Sequence, residues 1–178
     1  MSGDNPTGDP DNQQGRLEAY LCGFADGEGT FSVGLTRRSD LRFGFQLVPE
    51  FRVSQNVERS SVLEIFRDVL GCGSIRENDR HRRNDRSRVL DVRCRADLLE
   101  KVIPFFERNR LLSEKRHSFE TFSVIVGEMA AGSHHSGPGF ERLVRLAFSM
   151  NGQGGYRRWR LEDVLGFQNP QRLHAEGP

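Results

Sequence analysis

Cysteine is scarce in this chain, and its placement excludes two common architectures. Cys22, Cys72 and Cys94 are odd in number and share no Cys-x-x-Cys spacing. Neither a disulfide framework nor a cysteine zinc site is expected, and a reducing compartment is the natural setting. The three are read as small core-filling residues. Long hydrophobic runs are also missing. No apolar segment approaches the roughly 20 residues that span a bilayer. Residues 1–14 are polar, with Asp4, Asp9 and Asp11, and lack the apolar stretch of a secretory signal. They read as a disordered leader on a protein that is not secreted, resident in the cytoplasm or in an organellar matrix, with no membrane partner. Nor is there an excess of charge, since 26 basic and 25 acidic residues leave a formal net charge of +1. With 35% apolar and 29% charged residues among 178, the chain suits one well-solvated domain with a real core.

The balanced total hides an uneven distribution. Arg76, Arg80, Arg82, Arg83, Arg86, Arg88, Arg93 and Arg95 crowd one stretch that holds no lysine, against Glu77, Asp79, Asp85 and Asp91. Taken alone, such a run is first of all a solvated, salt-bridged surface. Its arginine-only makeup nevertheless suits planar, bidentate recognition of phosphate and guanine better than a diffuse lysine cloud does.

Periodicity supplies the elements. Leu17, Tyr20, Leu21 and Phe24 have the spacing of a helix over residues 16–28, with Gly29 placed to end it in the left-handed conformation. Phe31, Val33 and Leu35 then alternate with Thr30, Ser32, Thr36 and Arg38. After a turn at Ser39-Asp40, the set Leu41, Phe43, Phe45, Leu47, Phe51 and Val53 alternates with Arg42, Gln46, Glu50, Arg52 and Ser54. Such alternation describes a sheet with one buried and one wet face. Pro49 lacks an N–H and calls for an edge position or a bulge. A helix over 58–70 would bury Val62, Ile65, Phe66 and Val69 and stop at Gly71. A second hairpin follows over 73–79 and 87–95, with Leu90, Val92 and Cys94 inward, Asp91, Arg93 and Arg95 outward, and a mobile arginine-rich connection at 80–86. Helices over 96–108, bent at Pro104, and over 113–129 complete the pattern. Its helix–strand–strand order occurs twice, an architectural pseudo-repeat without sequence repetition.

Residues 130–139 form a Gly/Ser/His linker, in which His134 and His135 mark flexibility and not a metal site. Beyond lie an amphipathic helix over 140–150 and a basic cluster, Arg157, Arg158 and Arg160, around a packed Trp159. The cluster is placed to grip phosphates. In outline, residues 1–14 are a leader, 15–131 the main domain, 132–168 a linker and basic helical extension, and 169–178 a disordered tail.

The most informative stretch is Leu21-Cys-Gly-Phe-Ala-Asp-Gly-Glu-Gly29. Ala19, Gly23 and Gly27 recur every fourth residue and line one helix face, which lets another helix approach until backbones touch. Mid-helix glycine costs about 1 kcal/mol relative to alanine, so close approach is the natural compensation. If the partner is a second copy, two-fold symmetry brings together two helix ends, each with Asp26 and Glu28. Glu28 stands where the helix dipole is already negative, unfavourable unless a cation shares the position. Converging carboxylates are hard oxygen ligands suited to Mg²⁺, and an ion held there could activate water against a phosphodiester. Read without that context, Asp26 and Glu28 are two solvated acids at a turn.

This segment resembles the LAGLIDADG motif residue by residue, with Cys22 for Ala, Phe24 for Leu, Ala25 for Ile, Gly27 for Ala and Glu28 for the final Asp. One copy is present, so the chain is similar to the single-motif homing endonucleases. The resemblance implies an α+β fold with an αββαββα core and a four-stranded antiparallel, saddle-shaped sheet on double-stranded DNA, followed by a short C-terminal helical extension. It implies a homodimer joined through Ala19, Gly23 and Gly27. It also implies divalent metal held by Glu28 and the adjacent Gly27, with Mg²⁺ as cofactor, Mn²⁺ as a substitute and Ca²⁺ as an ion that binds without supporting cleavage. No small-molecule cofactor is implied. Gln55, Arg59 and Lys115 match the residues placed around the attacking water, with Arg116 as the alternative to Lys115. The wet strand faces become base readers: Ser32, Arg38, Arg42, Gln46, Arg52, Arg76, Asn78 and Arg93. The activity implied is metal-dependent, double-strand cutting at a long near-palindromic site, as in intron homing. A DNA-binding regulator and an RNA maturase are the alternatives on the same scaffold.

Overall fold

The first strand leaves the first helix without a loop. In a computed structural model, which describes residues 10–78, 86–153 and 158–167, α1 (Pro10–Glu28) runs directly into β1 (Gly29–Arg37). The helix starts at Pro10, so residues 10–14 belong to it and not to a leader; residues 1–9 lie outside the described part. Gly29 does not adopt the left-handed conformation anticipated for it; among the described residues the positive-φ glycines are Gly44, Gly71, Gly73 and Gly132. Its requirement is spatial, because a Cβ there would lie 2.5 Å from the Ala25 carbonyl oxygen. Only glycine permits this abrupt change from helix to strand.

The remaining elements are β2 (Phe45–Asn56), a 3-10 turn (Val57–Arg59), α2 (Ser61–Leu70), β3 (Ser74–Asn78) and β4 (Ser87–Val92). After them α3 (Arg95–Asp97) continues through a π turn (Leu98–Val102) into α4 (Ile103–Arg108), followed by α5 (Lys115–Ala130), α6 (Gly137–Gln153) and α7 (Leu161–Leu165). The strands form one antiparallel sheet in the order β1-β2-β4-β3. β4 pairs with β2 only from Phe51 to Asn56. Pro49 faces Val33 of β1 and lies beyond the end of β4, where β2 is an edge on that side, a position that tolerates proline.

The loop between β1 and β2 is longer than the two-residue turn anticipated. The Arg38 N–H donates to Gly44 O at 2.8 Å, and Gly44 takes φ +69°. Leu41 and Phe43 therefore leave the strand, and Phe43 stacks on Phe140 of α6 at 4.7 Å. In α2 the buried stripe is Val62, Leu63, Phe66 and Leu70, with Ile65 45% exposed. The helix is apolar on more than one side, so spacing alone allowed two stripes. Gly71 ends it at φ +65°, as read. The anticipated bend at Pro104 takes the form of the π turn immediately before it.

The core lies between the helices and the sheet face that carries Phe31, Val33, Phe51, Val53, Leu90 and Val92. Phe31 stands 5.0 Å from both Phe51 and Phe106, and Phe66, Phe105, Phe119 and Phe122 extend the cluster. Each such ring pair adds about 0.5–1.5 kcal/mol beyond area burial. Phe140, Leu143, Val144, Ala147 and Met150 of α6 are buried in the same cluster. The region anticipated as a linker and an appended helix is thus part of the core: a 3-10 turn (Ser133–His135) leads almost at once into α6. Trp159 packs edge-on against Phe45 at 5.3 Å. Arg157 and the tail from 169 lie outside the described residues, as do Arg80, Arg82 and Arg83. The cysteines are free, but only Cys22 is buried; Cys94, anticipated inside, is exposed. β4 ends at Val92, which releases Cys94 from the alternation.

Candidate active site and nucleic-acid interface

The final carbonyls of a helix lack intrahelical partners and attract cations. At the end of α1 that cation is Lys115, the first residue of α5. Its Nζ donates to Ala25 O at 3.0 Å and to Gly27 O at 3.1 Å. Burial lowers the Lys115 ammonium below its ordinary pKa, although Asp26 and Glu28 pull it the other way. Arg116 turns elsewhere and pairs with Glu120 at 2.8 Å. Glu28 is the last residue of α1 and is exposed to solvent.

Asp26 is engaged within the chain. Its Oδ2 accepts from the backbone N–H groups of Leu112 and Ser113, both at 3.0 Å, and its Oδ1 accepts from the Ser113 hydroxyl. It is the acceptor that ties the start of α5 to α1 and so carries Lys115 to Glu28. Burial works to raise the Asp26 carboxyl, but the bonds from Ser113 and Leu112 outweigh it and hold it below the usual range. A carboxyl lowered in the folded state stabilises the fold above its unfolded pKa and loses that contribution as pH falls through the folded value. Asp26→Ala should therefore lower stability at neutral pH by about 1–2 kcal/mol, as for other lost capping acceptors. The difference from the parent should shrink below about pH 4. Thermal melts of both proteins across that range check this, and a gap undiminished in acid would exclude it.

Gln55 stands at the same end of the sheet. Val53 faces Gly29 across the β1–β2 ladder, so Gln55 projects two residues past the start of β1. It is half-buried, and its Oε1 accepts from the Asn56 N–H at 2.7 Å. Arg59 is exposed in the 3-10 turn that follows β2. Among the described residues no group of three His, Cys, Asp or Glu side chains could hold a metal ion. One chain therefore offers the exposed Glu28 carboxylate and, next to it, the Gly27 carbonyl, a hard oxygen donor that already accepts from Lys115 Nζ at 3.1 Å and would share its second lone pair with an ion.

The opposite side of α1 is open. Ala19, Gly23 and Gly27 are exposed, Tyr20 is 59% exposed, and a Cβ added at Gly23 or Gly27 would meet nothing within 4 Å. Among the described residues nothing accounts for glycine at either position.

The candidate readers occupy the outer face of the sheet, with two corrections. Ser32 on β1, Gln46 and Arg52 on β2, and Arg76 and Asn78 on β3 share that face. Arg38 and Arg42 are not in strands but in the 38–44 loop, because the turn is longer than anticipated. Arg38 is held by Asp40 at 2.7 Å and by Gln46 Oε1 at 3.1 Å. Arg93 follows the end of β4 and donates to Glu50 through Nε at 3.0 Å and Nη2 at 2.8 Å. Arg42, Gln46 and Arg93 meet Arg95 around a cleft of about 540 Å³ at the far end of β2, floored by Phe45 and Leu47. His134, which lines it, is driven below its usual pKa by burial and by the neighbouring His135 and Arg95. Asp91 was read as an outward, solvated charge. It is 6% exposed and accepts from Arg76 Nε at 2.9 Å. Its significance, and that of Glu50, was missed; the available signal was the opposite charge two residues on in both strands, Glu50/Arg52 and Asp91/Arg93.

Comparison with known proteins identifies the fold. The sequence profile described as LAGLIDADG endonuclease matches residues 21–126. A probable intron-encoded DNA endonuclease of Mycosarcoma maydis is 36% identical over 99 residues, 54% of this chain and 32% of that protein. The chain thus spans about a third of that relative's length. Among solved structures, the homing endonuclease I-TnaI is 34% identical with a TM-score of 0.73, over 84% of this chain and 95% of its own. The archaeal intron-encoded homing endonuclease I-Vdi141I, solved with DNA, is 30% identical with a TM-score of 0.74, over 89% of this chain and 95% of its own. With more than half its length matched by the profile and its sheet and helices shared with these structures, the chain belongs to the LAGLIDADG endonuclease family.

Proposed function

We propose that this protein is a site-specific DNA endonuclease that cuts both strands of a long, near-palindromic target by metal-dependent hydrolysis, acting as a homodimer. One observation carries the reading: an exposed acid, Glu28, ends a helix whose other side is an empty glycine face, with a desolvated lysine fixed beside it. Two copies joined through Ala19, Gly23 and Gly27 bring two such ends together, one for each strand.

Glu28 and the Gly27 carbonyl are the donors that would hold a divalent ion. All-oxygen, incomplete coordination fits Mg²⁺, which keeps several waters and takes substrate phosphate as a further ligand; Mn²⁺ fits the same donors. When bound, the ion supplies Lewis-acid stabilisation of the phosphodiester and activation of water. The residues of the chain do the rest. Lys115 neutralises the end of α1, so that a polyanion can approach two carboxylates related by symmetry. Its three N–H donors are shared between the helix carbonyls and the developing phosphate charge. The Gln55 amide, at the strand end, positions the attacking water, and Arg59 adds positive charge at the rim. Ser32, Arg38, Arg42, Gln46, Arg52, Arg76, Asn78 and Arg93 present donors and acceptors to base edges, with Arg suited to guanine and Gln or Asn to adenine. Arg158 and Arg160 extend the positive surface toward flanking phosphates.

The test is incubation of the full chain with DNA from the locus that flanks its gene, in Mg²⁺ and in chelator. Discrete double-strand breaks that appear only with Mg²⁺ are expected. Specific binding without breaks would replace the reading with that of a DNA-binding regulator, and intron splicing without breaks with that of a maturase.

A further inference from the structure

Two carboxylates sit in the middle of the face assigned to DNA, where a surface made for affinity alone would have none. Arg52, Asp91 and Ser74 are in register across β2, β4 and β3, so Asp91 stands at the centre of that face. Its side chain is 7% exposed and lies 2.9 Å from Arg76 Nε and 3.2 Å from Arg93 Nε. Glu50, 14% exposed, lies 2.8 Å from Arg93 Nη2 and 3.3 Å from Arg52 Nε. Three arginines and two acids thus form one chain of contacts, Arg76–Asp91–Arg93–Glu50–Arg52. The acids lie deep; Arg76 and Arg93 stay 43% and 54% exposed above them.

A guanidinium has five N–H donors. The bonds just described use one on Arg76 and two on Arg93, which leaves donors for a second partner. We propose that Asp91 and Glu50 are specificity-determining residues: they hold Arg52, Arg76 and Arg93 in reading position and withhold their charge from non-cognate DNA. The inference rests on the reading of this face as the DNA interface.

The physical case has two parts. An arginine whose side chain is already fixed on a carboxylate has less freedom left to lose when it meets a base, so the matched contact forms at lower entropic cost. A phosphate-only contact at a mismatched site offers no such match. To swing toward phosphate, the guanidinium would have to abandon an acid in a desolvated position, which is strongly unfavourable for Asp91 at its low exposure. Discrimination between DNA sequences therefore comes from penalising the wrong mode as much as from favouring the right one. The two acids also bring the local charge from three positive groups to a net of one, which lowers the sequence-independent attraction that dominates binding to random DNA.

The experiment compares the parent with Asp91→Asn and Glu50→Gln in the full chain. Affinity for a random-sequence duplex is measured across a salt series, and sequence preference by cleavage selection from a randomised target library. Each variant should bind random duplex about 10-fold more tightly at low salt. The slope of log affinity on log salt should steepen by about one for each arginine released to phosphate, and base preference should broaden at the positions that these arginines face. A purely structural role would weaken binding to all DNA without steepening the slope, and that result overturns the proposal. Should Asp91→Asn fail to fold, Glu50→Gln at the more exposed acid decides the matter alone. A parent that neither binds nor cuts DNA defeats the functional reading itself. A parent that cuts its site while both variants keep its slope and selectivity defeats only this inference.

Discussion

Glu28→Gln is expected to keep the fold and DNA binding, and to lower the cleavage rate by about 10²-fold to 10³-fold, the scale for loss of a group that stabilises the transition state directly. The fold is indifferent to the change because Glu28 is exposed at the end of α1. The carboxamide keeps the shape and loses the negative charge that draws a divalent ion to an otherwise unfavourable helix end. Lys115 would remain on the Ala25 and Gly27 carbonyls, so the positive contribution to DNA approach is preserved. Single-turnover cleavage in Mg²⁺, with binding measured in Ca²⁺, separates the two effects. A variant that cuts at the parental rate would remove Glu28 from the active site.

Gly23→Leu should do the reverse: leave each protomer folded and abolish association. A side chain at Gly23 meets nothing within 4 Å in the protomer, and replacing a mid-helix glycine stabilises an isolated helix by up to about 1 kcal/mol. In a two-fold helix pair the same side chain intrudes twice. Overpacking of about 1–3 kcal/mol on each side corresponds to weakening by roughly 30-fold to 10⁴-fold. Sedimentation should show a parental dimer and a variant monomer, with double-strand cutting lost and thermal stability of the protomer kept. Gly29→Ala is the contrasting case, because its Cβ would collide with the Ala25 carbonyl oxygen at 2.5 Å and the fold itself would suffer. A Gly23→Leu protein that dimerises like the parent would mean that the open face of α1 is not the interface.

The two glycine substitutions illustrate how unevenly the structure could be read from residues. At Gly23 and Gly27 the four-residue spacing was enough, because helix geometry places such residues on one face whatever surrounds them. At Gly29 the sequence reading found the right boundary for the wrong reason. A left-handed cap and a steric need for no side chain look identical in one dimension; only the position of Ala25 tells them apart. Asp26 and Glu28 are similar. Two acids two residues apart at a helix end resemble a pair, but Asp26 has its acceptor role only because Leu112 and Ser113 arrive from far along the chain.

Local patterns were decisive wherever a repeating geometry relates neighbours. The strand alternation, the helix of the motif and the end of α2 at Gly71 follow from local periodicity and a glycine stop, and the sequence alone determined them. What it left undetermined depended on contacts between residues that are distant in sequence. The stripe that α2 buries, the long 38–44 loop drawn toward Phe140, and the incorporation of α6 into the core were settled by packing. Placement of Lys115 rather than Arg116 at the end of α1, and the capture of three arginines by Asp91 and Glu50, were decided in the same way. Each is a choice among partners that local propensity leaves nearly equal in energy, and burial in the assembled fold makes the choice.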